Sequence, residues 1–115
     1  MILLFDTNLP SNKTICIALT KIYGINKNIS AFLCKKLGYS DNLKVHELSH
    51  DQLLSLKKEI ENSNILITNR LKKLRHDTLK NNVKKKLYKG LRRLKGLPVR
   101  GQRTHTNAKT SRKIK

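Results

Sequence analysis

The chain has 115 residues, which is room for one small domain and a tail rather than two full domains. Its 26 Lys and Arg stand against 7 Asp and Glu, a net charge of +19. So large an excess calls for a large anion as partner, either nucleic acid or an anionic membrane surface, and no apolar run approaches the roughly 20 residues that span a bilayer.

The charge is unevenly placed. Residues 1–62 hold eight Lys, no Arg and six acids, a net +2. Residues 63–115 hold eleven Lys, seven Arg and the single acid Asp77, a net +17. The expected organisation is therefore a helical domain over 1–62, a basic helical segment over 63–89 and an extended basic tail over 90–115. The opening MILLFDTNLPSNK has no basic n-region, and Asp6 and Asn8 interrupt its apolar stretch, so it reads as neither a secretory signal nor an Arg-rich transit peptide.

In chain order, Ser11 or Asn12 after Pro10 can cap a first helix. Ile15, Ala18, Leu19 and Ile22 follow at i, i+3, i+4, i+7, one apolar helical face, and Gly24 ends it. A second helix carries Ile29, Phe32, Leu33 and Leu37, with Gly38 at its C′ position. Helix, Gly-bearing turn, helix is an αα-hairpin. Its turn, with Lys27 beside it, is either plain structure or a place where helix N-terminal amides meet a phosphate. Ser49-His50-Asp51-Gln52 has the form of a capping box and opens a third helix with Leu53, Leu56 and Ile60 on one face. From about residue 68 a long basic helix, or two in succession, carries Leu71, Leu74, Leu79, Val83 and Leu87 among many cations. Beyond Gly90 the periodicity stops, and such a segment cannot bury enough apolar surface to fold alone. No strand alternation and no internal repeat stands out, so an all-α fold is expected.

Few motifs suggest chemistry. His46-Glu47-Leu48-Ser49-His50 matches H-E-x-x-H, which needs both His on one continuous helix. Ser49 is the better N-cap, leaving His46 outside the helix, so no metal site is expected. Cys16 and Cys34 lie in apolar patterns without any C-x-x-C, which favours buried thiols over a disulfide or a zinc finger. There is no P-loop motif and no nucleophile beside a base, so neither an enzyme nor a cofactor is expected. Of the five aromatics, Phe5, Phe32 and Tyr23 read as core residues, which favours RNA binding through charge and shape over base stacking. Arg92, Arg93, Arg100, Arg103 and Arg112 fall in the tail, where Arg matches phosphates bidentately.

The tail YKGLRRLKGLPVRGQRTHTNAKT resembles the C-terminal signature Y-R-G-L-R-H-x-x-G-L-P-V-R-G-Q-R-T-x-T-N-A-R-T of the small-subunit ribosomal protein S-thirteen family, bacterial and organellar type. Tyr88, Gly90, Leu91, Arg92, residues 96–104 and residues 106–108 match it. Lys89 and Lys109 replace Arg, and Arg93 stands where His is usual. NLPSNKTICIALTKIYGIN is similar to the family's D-I-P-x-N-K-x-x-x-x-A-L-T-x-I-Y-G-I-G, with Asn8 for Asp and Asn26 for the last Gly.

The resemblance implies a small helical domain with helix-two-turn-helix character and a long extended tail. It implies a structural constituent of the small ribosomal subunit, binding rRNA in the head. Ribosomal protein S-nineteen, large-subunit components at intersubunit bridges and the peptidyl-site tRNA are the implied partners, and no membrane. The candidate rRNA-binding residues are Lys27, Lys89, Arg92, Arg93, Lys95, Arg100, Gln102, Arg103, Thr104, His105, Asn107, Lys109 and Arg112. Lys113 and Lys115 fall at the end that approaches tRNA in the family. The early terminus resembles mitochondrial members, and the missing transit features fit synthesis inside the organelle; plastid or bacterial cytoplasm is the alternative location. The alternative function is a free-standing basic DNA-binding or nucleoid protein using the helical hairpin.

Overall fold

A computed structural model describes residues 2–113. The chain divides into two units, residues 1–72 and 73–115, with the boundary inside a helix.

Unit 1 begins with a feature the sequence reading does not expect. Strands β1 (Ile2–Leu4) and β2 (Thr7–Leu9) pair antiparallel, Ile2 opposite Leu9 and Leu4 opposite Thr7. The two-residue turn puts Phe5 at φ 46° and Asp6 at φ 59°. Both positive values suit the twist of a tight hairpin, but neither residue type advertises them. Leu4 and Leu9 are buried, and Phe5 packs partly buried against the same core.

Helix α1 (Ile15–Leu19) is shorter than its apolar spacing predicts. After Leu19 the backbone tightens: Lys21 N–H donates to Ala18 O at 3.1 Å and Ile22 N–H to Leu19 O at 3.0 Å. Ile22 stays buried all the same. The N-cap is Thr14 rather than Ser11 or Asn12, and its side chain caps nothing. Instead the amide of Ile15 donates to Leu43 O at 3.0 Å, a carbonyl from a distant loop. No local pattern could reveal that partner.

Helix α2 (Lys27–Lys36) stops as read, before Gly38, and starts at an Asn26 cap that the apolar spacing does not mark. Asn26 Oδ1 accepts from the Lys27 amide at 2.6 Å. At the other end Gly38 N–H donates to Lys35 O and Tyr39 N–H to Cys34 O, a Schellman closure with Gly38 at C′. Phe32 corrects the predicted core, because it is 63% exposed. The buried face instead runs through Ser30, Leu33 and Cys34. Ser30 sets that rotation: fully buried, it donates to Cys16 O at 2.6 Å and draws α2 close to α1.

A 3-10 turn (Val45–Glu47) leads to α3 (His50–Asn62). The capping box forms as predicted, with Ser49 Oγ accepting from Gln52 N–H at 3.3 Å and Gln52 Oε1 from Ser49 N–H at 3.0 Å. His46 therefore lies in the turn and His50 opens the helix, so the two do not share one helical face. Leu56 and Ile60 of α3 complete a core with Leu9, Ile15, Ala18, Leu19, Ile22, Ile25, Leu33, Val45 and Ile67.

Gly24 joins this core to the start of α4 (Thr68–Lys84). A Cβ there would sit 2.8 Å from Leu66 O, and its φ of +109° excludes other residues on separate grounds. The approach it permits lets Thr68 N–H donate to Tyr23 O at 2.7 Å. Both cysteines are free thiols, Cys34 buried and Cys16 half-buried. Burial pushes the Cys34 thiol up to about 11, and Cys16 adds to the rise. Burial also raises the Tyr39 hydroxyl, which donates to Gln52 O at 2.8 Å.

In unit 2 the basic stretch resolves into two helices in succession, the remainder of α4 and α5 (Tyr88–Leu94). Lys86 at φ 52° makes the break, closed by Lys86 N–H to Val83 O and Leu87 N–H to Asn82 O. Residues 95–108 carry neither helix nor strand, and a last short helix, α6 (Lys109–Lys113), follows. Among the described residues no helix is long and apolar enough to cross a membrane.

Candidate nucleic-acid interface

Unit 2 is built to present charge. Residues 73–115 contain ten Lys and six Arg against Asp77, a net +15, whereas residues 1–72 carry +4. Helix α4 has no buried residue, so its cations stay in solvent. The ion pairs Lys36–Glu59 and His46–Glu47 both belong to unit 1. With Asp77 as its single acid, a surface like that of unit 2 repels itself until a polyanion covers it.

Short-range contacts hold the cationic segment in place. Gly90 is buried, and a Cβ there would meet Asn82 C at 2.6 Å and Val83 N at 2.7 Å. Only glycine lets α5 lie this close to the end of α4. Arg92 is half-buried; its Nε donates to Pro98 O at 3.1 Å, and its guanidinium carbon lies 5.8 Å from the Tyr88 ring centroid. The terminal amino groups of Arg92 hold its remaining donors, the fork that meets phosphates and base edges. Leu97 N–H donates to Arg92 O and Gly96 N–H to Arg93 O, which turns the chain back at the end of α5.

A second closure shapes the loop beyond. Gln102 Nε2 donates to Asn107 O at 2.9 Å. Asn107 takes φ 44°, which Asn tolerates better than most residues. Between them Arg103, Thr104 and His105 are exposed. Ala108, 4% exposed, anchors the far end, and Ser111 Oγ donates back to its carbonyl at 2.8 Å.

The other candidate residues fall around this frame. Lys89, Arg93, Lys95, Arg100, Lys109, Arg112 and Lys113 are in unit 2; Arg112 lies in the last turn of α6 and Lys113 at its end, and all seven are exposed. Lys27 is exposed too, but in unit 1 at the start of α2, where Asn26 already engages its amide. Lys115 lies outside the described residues. Sequence reasoning missed two contributors, Tyr88 and the Pro98 carbonyl. The Tyr-x-x-x-Arg spacing was a usable signal for the first; nothing local marks the second. Among the described residues no group of three or more His, Cys, Asp or Glu is placed to hold a metal ion.

Comparison with known proteins agrees with this surface. The family model described as "Ribosomal protein S13/S18" matches residues 3–110. "Small ribosomal subunit protein uS13m" of Marchantia polymorpha is 43% identical over 112 residues, covering 97% of this chain and 92% of that relative. Nothing in either comparison supports the free-standing DNA-binding alternative. With a matching family over nearly its whole length and a cationic, non-catalytic surface to account for, the chain belongs to the ribosomal protein S13/S18 family, rRNA-binding structural constituents of the small ribosomal subunit.

Proposed function

We propose that this chain works in the head of the mitochondrial small ribosomal subunit and holds folded rRNA there by charge neutralisation. The observation that carries the reading is the concentration of exposed Lys and Arg in residues 73–115 beside a single acid. Close-packed rRNA phosphates repel one another, and an Arg-rich segment displaces their counterions while matching their geometry. Labour divides along the chain: residues 1–62 form the helical domain, 63–89 the basic helical segment and 90–115 the rRNA-binding tail. Lys89, Arg92, Arg93, Lys95, Arg100, Arg103, Thr104, His105, Asn107, Lys109 and Arg112 contact rRNA, Gln102 holds the loop that presents three of them, and Lys27 adds a contact from the helical hairpin. The helical domain offers surface to ribosomal protein S-nineteen and to large-subunit bridge components. Lys113 and Lys115 lead toward the peptidyl-site tRNA.

The test compares the full chain with its Arg100→Ala, Arg103→Ala double variant. If the native chain neutralises ~6–8 phosphates, its affinity for structured RNA should fall by roughly three to five decades between about 50 and 200 mM salt. The double variant should keep native helix content, bind with a shallower salt slope and cofractionate poorly with small subunits on a sucrose gradient. A flat salt response of the native chain, or normal cofractionation of the variant, would overturn the reading.

A further inference from the structure

Charge and shape do not account for Tyr88. The ring is 64% exposed in the first turn of α5, one helical turn before Arg92. Of the remaining aromatics, Tyr39 spends its hydroxyl on Gln52 O, Phe5 packs against the core, and Tyr23 and Phe32 lie in unit 1, where the net charge is low. Tyr88 is the one aromatic set among the cations of unit 2.

Its position is held from two sides before any partner arrives. Gly90 locks α5 against the backbone of Asn82 and Val83, and Pro98 O takes the Arg92 Nε, which keeps the guanidinium 5.8 Å from the ring centroid. The guanidinium lies over the phenol ring as a cation–π contact, which steadies the ring and adds positive charge to it. Leu87 and Leu91, 48% and 39% exposed, add apolar area on the same short segment. Lys89 and Arg93 put exposed charge beside it.

An occupant of this surface needs a flat π face and negative charge together, and a nucleotide has both. Bases inside an A-form helix are sealed in their own stack, so the base must be unpaired, from a bulge or a loop. We propose that Tyr88, steadied by Arg92, is a stacking platform for one unpaired nucleobase of the rRNA. This rests on the rRNA-binding reading above and adds a second mode to it. The charged tail recognises phosphate without regard to pairing, whereas Tyr88 distinguishes a strand that is locally open. Base identity matters little, because every base offers a π face.

The experiment uses the full chain and two synthetic RNA hairpins, one fully paired and one identical but for a single bulged uridine. The native chain should prefer the bulged hairpin by roughly 5- to 100-fold, the size of one base–aromatic stack. Tyr88→Leu should lose that preference and keep both its affinity for the paired hairpin and its salt slope. Tyr88→Phe should retain the preference. With 5-iodouridine at the bulge, long-wavelength ultraviolet light should cross-link the native chain at Tyr88, a readout that needs no variant to fold. Equal, salt-dependent affinity of the native chain for both hairpins, or a cross-link elsewhere, overturns the platform and leaves the rRNA reading standing. Salt-insensitive binding to both overturns the rRNA reading, and the platform with it. A Tyr88→Leu chain that keeps the bulge preference but fails to enter small subunits assigns this surface to a protein neighbour and overturns the proposal.

Discussion

Gly90→Ala sets two effects of opposite sign against each other. Helix propensity alone favours the change by about 1 kcal/mol, since Gly90 lies inside α5. Packing opposes it. The new Cβ would lie 2.6 Å from Asn82 C and 2.7 Å from both Asn82 O and Val83 N. Carbon pairs rest at about 3.5–4.0 Å, so α5 must retreat by roughly 1 Å. The atoms in the way are backbone, not the far end of a flexible side chain, so they cannot swing aside. Overpacking of this kind costs about 1–3 kcal/mol, occasionally more, which outweighs the propensity gain. The net local loss should be up to about 2 kcal/mol by that reckoning, toward the upper end because the opposing atoms are backbone. It should be confined to the α4–α5 junction, because the core cluster lies within residues 1–72. Amide hydrogen exchange reads it directly. The amides of Leu87, Leu91 and Leu97, bonded to Asn82 O, Leu87 O and Arg92 O, should lose protection, while those of α3 keep theirs. Lys89→Ala, on an exposed position of the same helix, is the control and should change little. If Gly90→Ala protects these amides as well as the native chain or better, propensity has won and the close-approach reasoning is wrong.

Three further outcomes are expected. Leu19→Ala, at a fully buried position, should cost about 2–5 kcal/mol in urea unfolding. Ser49→Ala removes the oxygen that caps Gln52 N–H and should cost about 0.5–2 kcal/mol, with fraying confined to the first turn of α3 in hydrogen exchange. Cys34 gives up its proton at about 11 in the folded chain, against 9.0 for a free thiol. The native state therefore binds more protons between those values, so its contribution is fully present below about pH 9 and is lost as pH rises through about 11. Tyr39 is raised in the same direction and adds to the loss. Urea midpoints measured across this alkaline range should fall, and Cys34→Ala should make the fall shallower.

The candidate surface was legible in the chain to the extent that its physics is local or additive. Charge is a sum over residues, so the imbalance between the two halves needs no coordinates. A capping box needs four consecutive residues, and Ser49 to Gln52 form one. Gly38 likewise closes α2 through partners only a turn away. The motif from Tyr88 to Thr110 carries the family because its spacing survives in one dimension.

What the sequence by itself determined, then, is the family, the helical hairpin, the stop of α2 at Gly38 and the cationic half. Tertiary structure alone decided what depends on residues far apart in the chain meeting at short range. The Leu43 carbonyl caps α1 from across a loop, and no residue near Ile15 announces it. Phe32 has a core-like spacing, yet the buried hydrogen bond from Ser30 to Cys16 O turns it outward. Phe5 and Asp6 hold a hairpin turn at positive φ with the strand pairing and the core contact of Phe5 around it. Gly90 and Pro98 look like ordinary tail residues until α5 folds back on α4 and Arg92 finds its carbonyl. Hydrophobic spacing states which side chains prefer burial; the contacts that give each its place arise only when the chain closes on itself.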